Sequence, residues 1–326
     1  MTDRIITPFG AESTASDVIA GIDLTGKRVI VTGGSSGLGR ETSRALASAG
    51  ALVTLAVRNV EAARAVADSV SASTGTQVEV RELDLSDQHS VSRFVAGWVG
   101  PLDILVNNAG VMALPELRQS ADRWEMQFAT NHLGHFALAS GLHRGLAAAG
   151  NARVVSVSSV GHIDGKIDFD DLMFERRPYN EWAAYGQSKT ANILFAVEAS
   201  KRWAADGITA NALNPGRIPT TGLMRHLPST PPSVAPGIAS STGVSMKTIE
   251  QGAATTVFLA SSPLLDGIGG RYFEDCNEAV ALVPGVRRGF ADYALDPAEA
   301  ARLWAASDAL IADRLVRSVA PSADSR

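Results

Sequence analysis

The stretch Val29-Ile-Val-Thr-Gly-Gly-Ser-Ser-Gly-Leu-Gly39 decides the fold. Residues 28–31 are short, β-branched and followed by Thr32-Gly33, the pattern of a buried parallel strand. From Leu38 to Ala49 the pattern turns helical and stops at Gly50, a C-terminal cap. Strand, glycine turn and helix in that order make a phosphate cradle. Glycines let the backbone approach a pyrophosphate, and the free N–H groups at the helix start attract its charge. A glycine turn that only connects strand to helix is the alternative, and the surrounding sequence decides against it.

Outward from this turn, strands and helices alternate. Strands are expected at 52–57, 77–83, 103–106, 152–157 and 208–213, with a short last one at 271–273. Helices are expected at 60–73, 121–149, 181–205 and 248–260, and Asp87 caps another. This rhythm predicts an α/β fold, a single doubly wound parallel sheet of Rossmann type with helices on both faces. The domain is expected over 23–283, preceded by an extension over 1–22 and followed by a helical extension and tail over 284–326. Asp296-Pro-Ala-Glu299 has the grammar of a helix start, and that helix should run to about Val316, with 318–326 frayed. Two segments interrupt the rhythm: Gly161 to Asn180, and the Pro- and Ser-rich stretch Gly222 to Ser245.

Bulk properties exclude several classes. The 326 residues carry a formal net charge of -5 with acids and bases interspersed, so no basic stripe suggests nucleic acid. The single cysteine, Cys276, forms no internal disulfide and reads as an apolar filler. The six histidines make no metal-binding pattern, and no metal site is expected. The acidic N-terminus and the absence of any run of about 18 apolar residues predict a cytoplasmic protein without a membrane anchor.

In an open α/β sheet, ligands bind beyond the carboxyl ends of the strands. The notable polar clusters all fall there: 32–39, Val57-Arg58, Asp84-Leu85, Asn107 to Gly110, Ser158-Ser159 and Asn214 to Gly216. Tyr185 and Lys189 stand four apart on one helical face. A free tyrosine has a pKa of about 10, and a neighbouring lysine cation should bring it down towards acid–base use. Alone, such a pair is commonly an ordinary surface pair. Ser159 would hydrogen-bond a substrate oxygen, or else simply cap a turn. Asn131 is a polar amide in an apolar helical pattern and needs a partner, while His132 and His135 read as packed side chains.

The ordered combination resembles the short-chain dehydrogenase/reductase family over roughly residues 21–273. Thr32 to Gly39, Asp84-Leu85, Asn107-Asn-Ala-Gly110, Ser159, Tyr185-Gly-Gln-Ser-Lys189 and Pro215-Gly216 carry the resemblance. Asn131-His-Leu-Gly-His-Phe136, 188–195 and 270–276 bring it nearest to the retinol dehydrogenase and WW-domain oxidoreductase branch. The resemblance implies a hydride-transfer enzyme with Tyr185 as general acid/base, Lys189 tuning it and holding the nicotinamide ribose, Ser159 polarising the carbonyl, and Asn131 holding a water that links Lys189 to solvent. It also implies a cofactor site. Gly33, Ser35, Ser36, Gly37, Leu38 and Gly39 would wrap the phosphates, Asp84 and Leu85 the adenine, and Asn108, Ala109 and Gly110 the adenosine ribose. Pro215, Gly216, Ile218 and Thr220 would lie along the nicotinamide. A homodimer through the two long helices is a further implication.

Val57-Arg58 ends the second strand with a cation where enzymes using NAD carry an acid, which predicts NADP(H). The expected substrate is a small lipophilic ketone, aldehyde or alcohol under a lid formed by the two interrupting segments, with Phe169, Leu172, Met173 and Phe174 as an apolar wall. The competing reading is that these residues only pack against the sheet. A cofactor sensor or scaffold without redox chemistry is the alternative of another class; intact Ser159, Tyr185 and Lys189 weigh against it.

Overall fold

In a computed structural model the protein is described over residues 4–224 and 246–319. The chain runs α1 (Ala15–Ile19), β1 (Arg28–Thr32), α2 (Gly37–Ser48), β2 (Leu52–Val57), α3 (Val60–Thr74), β3 (Val78–Glu82), α4 (Gln88–Ala96) and β4 (Ile104–Asn107). The second half adds α5 (Met126–Phe128), a π turn (Ala129–Leu133), α6 (Gly134–Gly141), α7 (His143–Ala148), β5 (Ala152–Val157) and α8 (Glu181–Trp203). It closes with β6 (Ile208–Asn214), α9 (Ile249–Ser261), β7 (Tyr272–Glu274), β8 (Asn277–Glu278) and α10 (Pro297–Val319). One eight-stranded sheet has the order β3-β2-β1-β4-β5-β6-β7-β8. Every neighbouring pair is parallel except β7 with β8. The expected doubly wound architecture is what forms.

Alternation along the strands builds the two cores. Val29 and Val31 of β1 turn to one face with Val53, Leu55, Ile104 and Val106, under α1, α2, α3 and α9. Ile30 turns to the other with Leu105, Val154 and Ala212, under α4, α6, α7 and α8. Residues expected as an N-terminal extension contribute α1, whose Ala15, Val18 and Ile19 are buried in the first core. Cys276 is fully buried beside Thr255, as its reading as a filler requires. Among the described residues no helix is long and apolar enough to cross a membrane.

The helix expected over 121–149 forms later and in pieces. Residues 118–125 make a tight turn instead, with an isolated bridge between Gln119 and Glu125 and Arg123 at φ 64°. Trp124 and Phe128 are buried in both arrangements, so their spacing did not discriminate. Glu125 starts the helix by accepting from the Gln127 and Phe128 amides at 2.9 and 2.7 Å.

The C-terminal helix α10 lies across α8 and the π turn. Leu303 and Ala300 are buried there with Phe128, Leu133 and Leu194. Trp304 meets Phe136 edge-on at 4.9 Å and stacks on Phe195 at 6.0 Å, and Arg314 pairs with Asp122 at 2.9 Å. The face shared by α6 and α8 therefore carries α10. The helix extends to Val319, a little beyond the expected end; residues 320–326 lie outside the described part. Leu303→Ala is expected to cost about 2–5 kcal/mol of unfolding free energy, the range for truncating a buried leucine, measured by urea denaturation.

Candidate active site

The strand order reverses between β1 and β4, and the cleft opens beyond the strand ends at that point. Its volume is about 770 Å³. Its walls include Gly33, Ser35, Ser36, Gly37, Leu38, Gly39, Arg58, Asp84, Leu85, Asn108, Ala109, Gly110, Ser159, Tyr185, Lys189, Pro215, Gly216 and Ile218. The sequence-predicted residues thus meet in one place, from seven different segments of chain. Thr220 and Asn131 do not reach the wall: Asn131 is fully buried, and Thr220 is exposed, with Thr221 lining the cleft in its stead. The chain turns over there, with Thr221 Oγ1 donating to the Ile218 carbonyl at 3.3 Å.

The glycine turn is tight for a steric reason. A Cβ on Gly39 would stand 2.3 Å from the Gly33 carbonyl oxygen and 2.6 Å from Asn108 Nδ2. Asn108 in turn donates from Nδ2 to the Thr32 carbonyl at 2.8 Å, joining the turn after β4 to that after β1. The start of α2 lies on the cleft wall, where glycines at 33, 37 and 39 leave the backbone uncovered at those positions, which fits a dinucleotide phosphate.

Helix α8 is capped by Asn180, whose side chain accepts from the Trp182 and Ala183 amides at 3.1 and 2.8 Å. A single 3-10 turn, Val160–Asp164, crosses α8 so closely that a Cβ on Gly165 would fall 2.1 Å from Gly186 C. That contact sets Ser159 beside Tyr185. Ser159 Oγ accepts from the Gly161 amide at 3.1 Å, and its hydroxyl acts to lower the Tyr185 pKa. Lys189 Nζ donates to the Val157 carbonyl at 3.0 Å, and Asn192 to the same oxygen at 3.1 Å.

Burial pushes the Tyr185 phenol up to about 12, with the Ser159 hydroxyl drawing it partway back. Burial also brings the Lys189 ammonium down to about 8. The expected lowering of the tyrosine by the lysine is not found: burial raises it, and only the Ser159 hydroxyl acts the other way. Nζ is held on the Val157 carbonyl, 5.7 Å from the ring centroid. At neutral pH the phenol keeps its proton and the lysine is mostly charged.

Asn131 finds the partners its burial demands, in the middle of the π turn. Its Nδ2 donates to the Val111 carbonyl and to Ser188 Oγ, both at 2.9 Å, and its Oδ1 accepts from the Val111 amide at 2.8 Å. It therefore ties the loop after Gly110 to α8, one residue from Lys189. His132 is packed against Ser307 at 2.8 Å, and His135 bonds Thr32 and the Asn131 carbonyl.

The apolar wall expected from the 161–180 segment is not where the structure puts it. Phe169, Leu172 and Met173 pack into the third core under α10, with Arg302 over Phe169 at 4.2 Å. Phe174 packs on Tyr179 and Arg177. Asp171 gathers the Glu175, Arg176 and Arg177 amides and folds the segment down onto the body. A C-terminal helix offered these side chains a dry surface, and burial there wins over a wall facing the cleft. Gly222–Met224 form a 3-10 turn, and Leu223 lines the cleft. Residues 225–245, expected as the second half of the lid, lie outside the described part.

Sequence reading missed the mouth of the cleft. Asp164 and Arg287 form an ion pair there, 123 residues apart in sequence, beside Met112 and Asn180. Arg287 comes from the segment after β8, which is pinned to the Ser159 turn. The Ala291 amide donates to His162 Nε2 at 3.3 Å, and the Tyr293 hydroxyl bonds the His162 carbonyl at 2.7 Å. No local pattern marks such a long-range pair.

Comparison with known proteins agrees with this geometry. The family model for short chain dehydrogenase matches residues 27–231. A protein of Streptomyces lividans described as a probable oxidoreductase is 54% identical over 87% of this chain and 97% of its own length. Human retinol dehydrogenase 13 is 37% identical over 94% of this chain and 92% of its own. Among solved structures, an uncharacterized protein from Mycobacterium paratuberculosis aligns with a TM-score of 0.71 at 36% identity, covering 92% of this chain and 98% of that one. A Pseudomonas aeruginosa RhlG/NADP active-site complex aligns at 0.61 and 28%, covering 77% and 95%. Gly39→Ala is expected to raise the dissociation constant for a nicotinamide dinucleotide about tenfold or more, read by fluorescence titration, because the Gly33 carbonyl and Asn108 must give way.

Proposed function

Since the chain belongs to the short-chain dehydrogenase family, oxidoreductases that work with a nicotinamide cofactor, we propose that it interconverts a lipophilic ketone or aldehyde and its alcohol with NADP(H). The observation that carries this reading is the convergence of Ser159, Tyr185 and Lys189 on one side of a cleft whose other end is the bare backbone of Gly33 to Gly39. A sensor or scaffold needs the cradle and has no use for a buried, proton-bearing tyrosine beside a serine.

When bound, the nicotinamide supplies the hydride in reduction and receives it in oxidation. Gly33 to Gly39 would hold the phosphates, Asp84 and Leu85 the adenine end, and Pro215 to Ile218 the nicotinamide end. In reduction, the Ser159 hydroxyl polarises the carbonyl oxygen and stabilises its growing charge. Tyr185 gives its proton to that oxygen as the C–H bond forms, leaving an alcohol and a phenolate. The phenolate is created next to the Lys189 cation, which favours it most at that moment. Reprotonation of Tyr185 from solvent completes the cycle, and oxidation runs the same steps backwards.

Preference for NADP(H) rests on Arg58, exposed on the cleft wall where β2 ends, with buried Val57 before it and no carboxylate in the position that would bind a ribose 2′-hydroxyl. The complex of RhlG with NADP is consistent with this choice. A lipophilic substrate is supported by Met112, Val160, Trp182 and Leu223 on the cleft wall near Tyr185, and by relatives named retinol dehydrogenases. Arg58→Ala should reduce the NADPH-over-NADH preference by about tenfold, as loss of a charge-assisted hydrogen bond does; an unchanged ratio of kcat/KM for the two cofactors would count against NADP(H). Tyr185→Phe should lower kcat by about 10²–10⁴-fold while NADPH still binds. Turnover across alkyl and aryl ketones of increasing size tests the substrate class, with kcat/KM expected to rise with apolar bulk.

A further inference from the structure

His135 lies in the first turn of α6 and is buried, and neither the cleft wall nor the reaction outlined above uses it. Its two ring nitrogens bridge elements that both serve the site. Nδ1 is 2.9 Å from the Asn131 carbonyl oxygen, and Nε2 is 2.9 Å from Thr32 Oγ1.

Hydrogen-bond accounting assigns every proton in this chain of contacts. A carbonyl oxygen only accepts, so Nδ1 carries the hydrogen. Burial keeps the imidazole neutral, holding its pKa down to about 4, so Nε2 is bare and accepts. Thr32 therefore donates its hydroxyl proton to Nε2, in preference to the more distant Val106 carbonyl at 3.3 Å. The same hydroxyl oxygen accepts from the Asn108 and Ala109 amides at 2.9 and 3.0 Å. Donation thus runs in one direction: from the Asn108 and Ala109 amides to Thr32, from Thr32 to His135, and from His135 to the carbonyl of Asn131.

The two ends of that chain are functional surfaces. Asn108 and Ala109 line the cleft, and Gly110 after them is so close that a Cβ there would lie 3.2 Å from Asn131 Oδ1 and 3.5 Å from Lys189 Nζ. Asn131 sits in the π turn, where the Gly134 amide reaches back five residues to the Ala129 carbonyl. π turns recur at functional sites because the slipped ladder re-aims a side chain. Here the re-aimed side chain is Asn131, which grips Val111 and Ser188.

We propose that His135 is a positioning residue: through Thr32 and the Asn131 carbonyl it locks the Asn108–Gly110 wall of the cofactor cleft to the π turn that supports the catalytic helix. The inference rests on reading the cleft as a nicotinamide dinucleotide site. Removing the imidazole leaves the Thr32 proton and the Asn131 carbonyl without their buried partner, so the wall and the turn can shift independently.

The test is a double-mutant cycle on the full chain with NADPH binding and steady-state turnover as readouts. His135→Phe is expected to raise the NADPH dissociation constant about tenfold and lower kcat by a similar factor, the size of one or two buried hydrogen bonds. Thr32→Val should show the same pair of effects, Thr32→Ser should recover most of the loss, and the double variant should be no worse than the poorer single. A purely structural role would lower the melting temperature while the folded variants keep wild-type binding and kcat. That result, or losses that multiply in the double variant, overturns the proposal. Should His135→Phe fail to fold, the comparison of Thr32→Val with Thr32→Ser decides, and equal values for those two overturn it as well. A wild-type chain that binds no NADPH would instead overturn the functional reading on which the inference rests.

Discussion

The carbonyl of Val157, at the end of β5, accepts hydrogen bonds from Lys189 and Asn192 of the same helix. This shared acceptor fixes the rotation and height of α8 against the sheet, and the rest of the site follows from it. Tyr185, one turn earlier, is carried to the mouth of the strand ends, and Ser158 Oγ returns a bond to the Lys189 carbonyl at 2.7 Å. Burying an ammonium is costly unless polar atoms receive it. The Val157 oxygen is such an atom, while burial brings the lysine's pKa down to about 8.

The electrostatics of the site are set by dryness more than by the lysine. Tyr185 is raised by burial and Lys189 lowered by it, so the protein presents an acid that holds its proton and a cation that can lose its own in mild alkali. In the proposed reaction the lysine would act most on the phenolate that appears when the proton has gone, because an interaction that grows along the reaction accelerates it.

The segments after the strand ends divide the remaining work. The 161–180 segment folds against α10 and gives the body of the protein a third core, while its first turn holds Ser159 and Asp164 at the cleft. The segment after β8 returns to that turn through His162 and brings Arg287 to the mouth. Chain that lies beyond the matched family region, 27–231, therefore shapes the entrance where a substrate must pass.

The sequence by itself determined the doubly wound sheet, its glycine cradle and many of the residues that line the cleft. These depend on local rules: side-chain alternation, glycine where a Cβ cannot fit, and Tyr185 and Lys189 four residues apart. It also identified Asn131 as an amide in need of a partner, without showing which. Only the tertiary structure decided the π turn around Asn131, the late start of the helix at Met126, the burial of Phe169 and Met173 away from the cleft, and the pairing of Asp164 with Arg287. Each of these is a competition between partners far apart in the chain. An apolar residue reads the same whether it faces a substrate or α10, and the balance between burial and the Lys189 charge at Tyr185 depends on how much water the whole fold excludes.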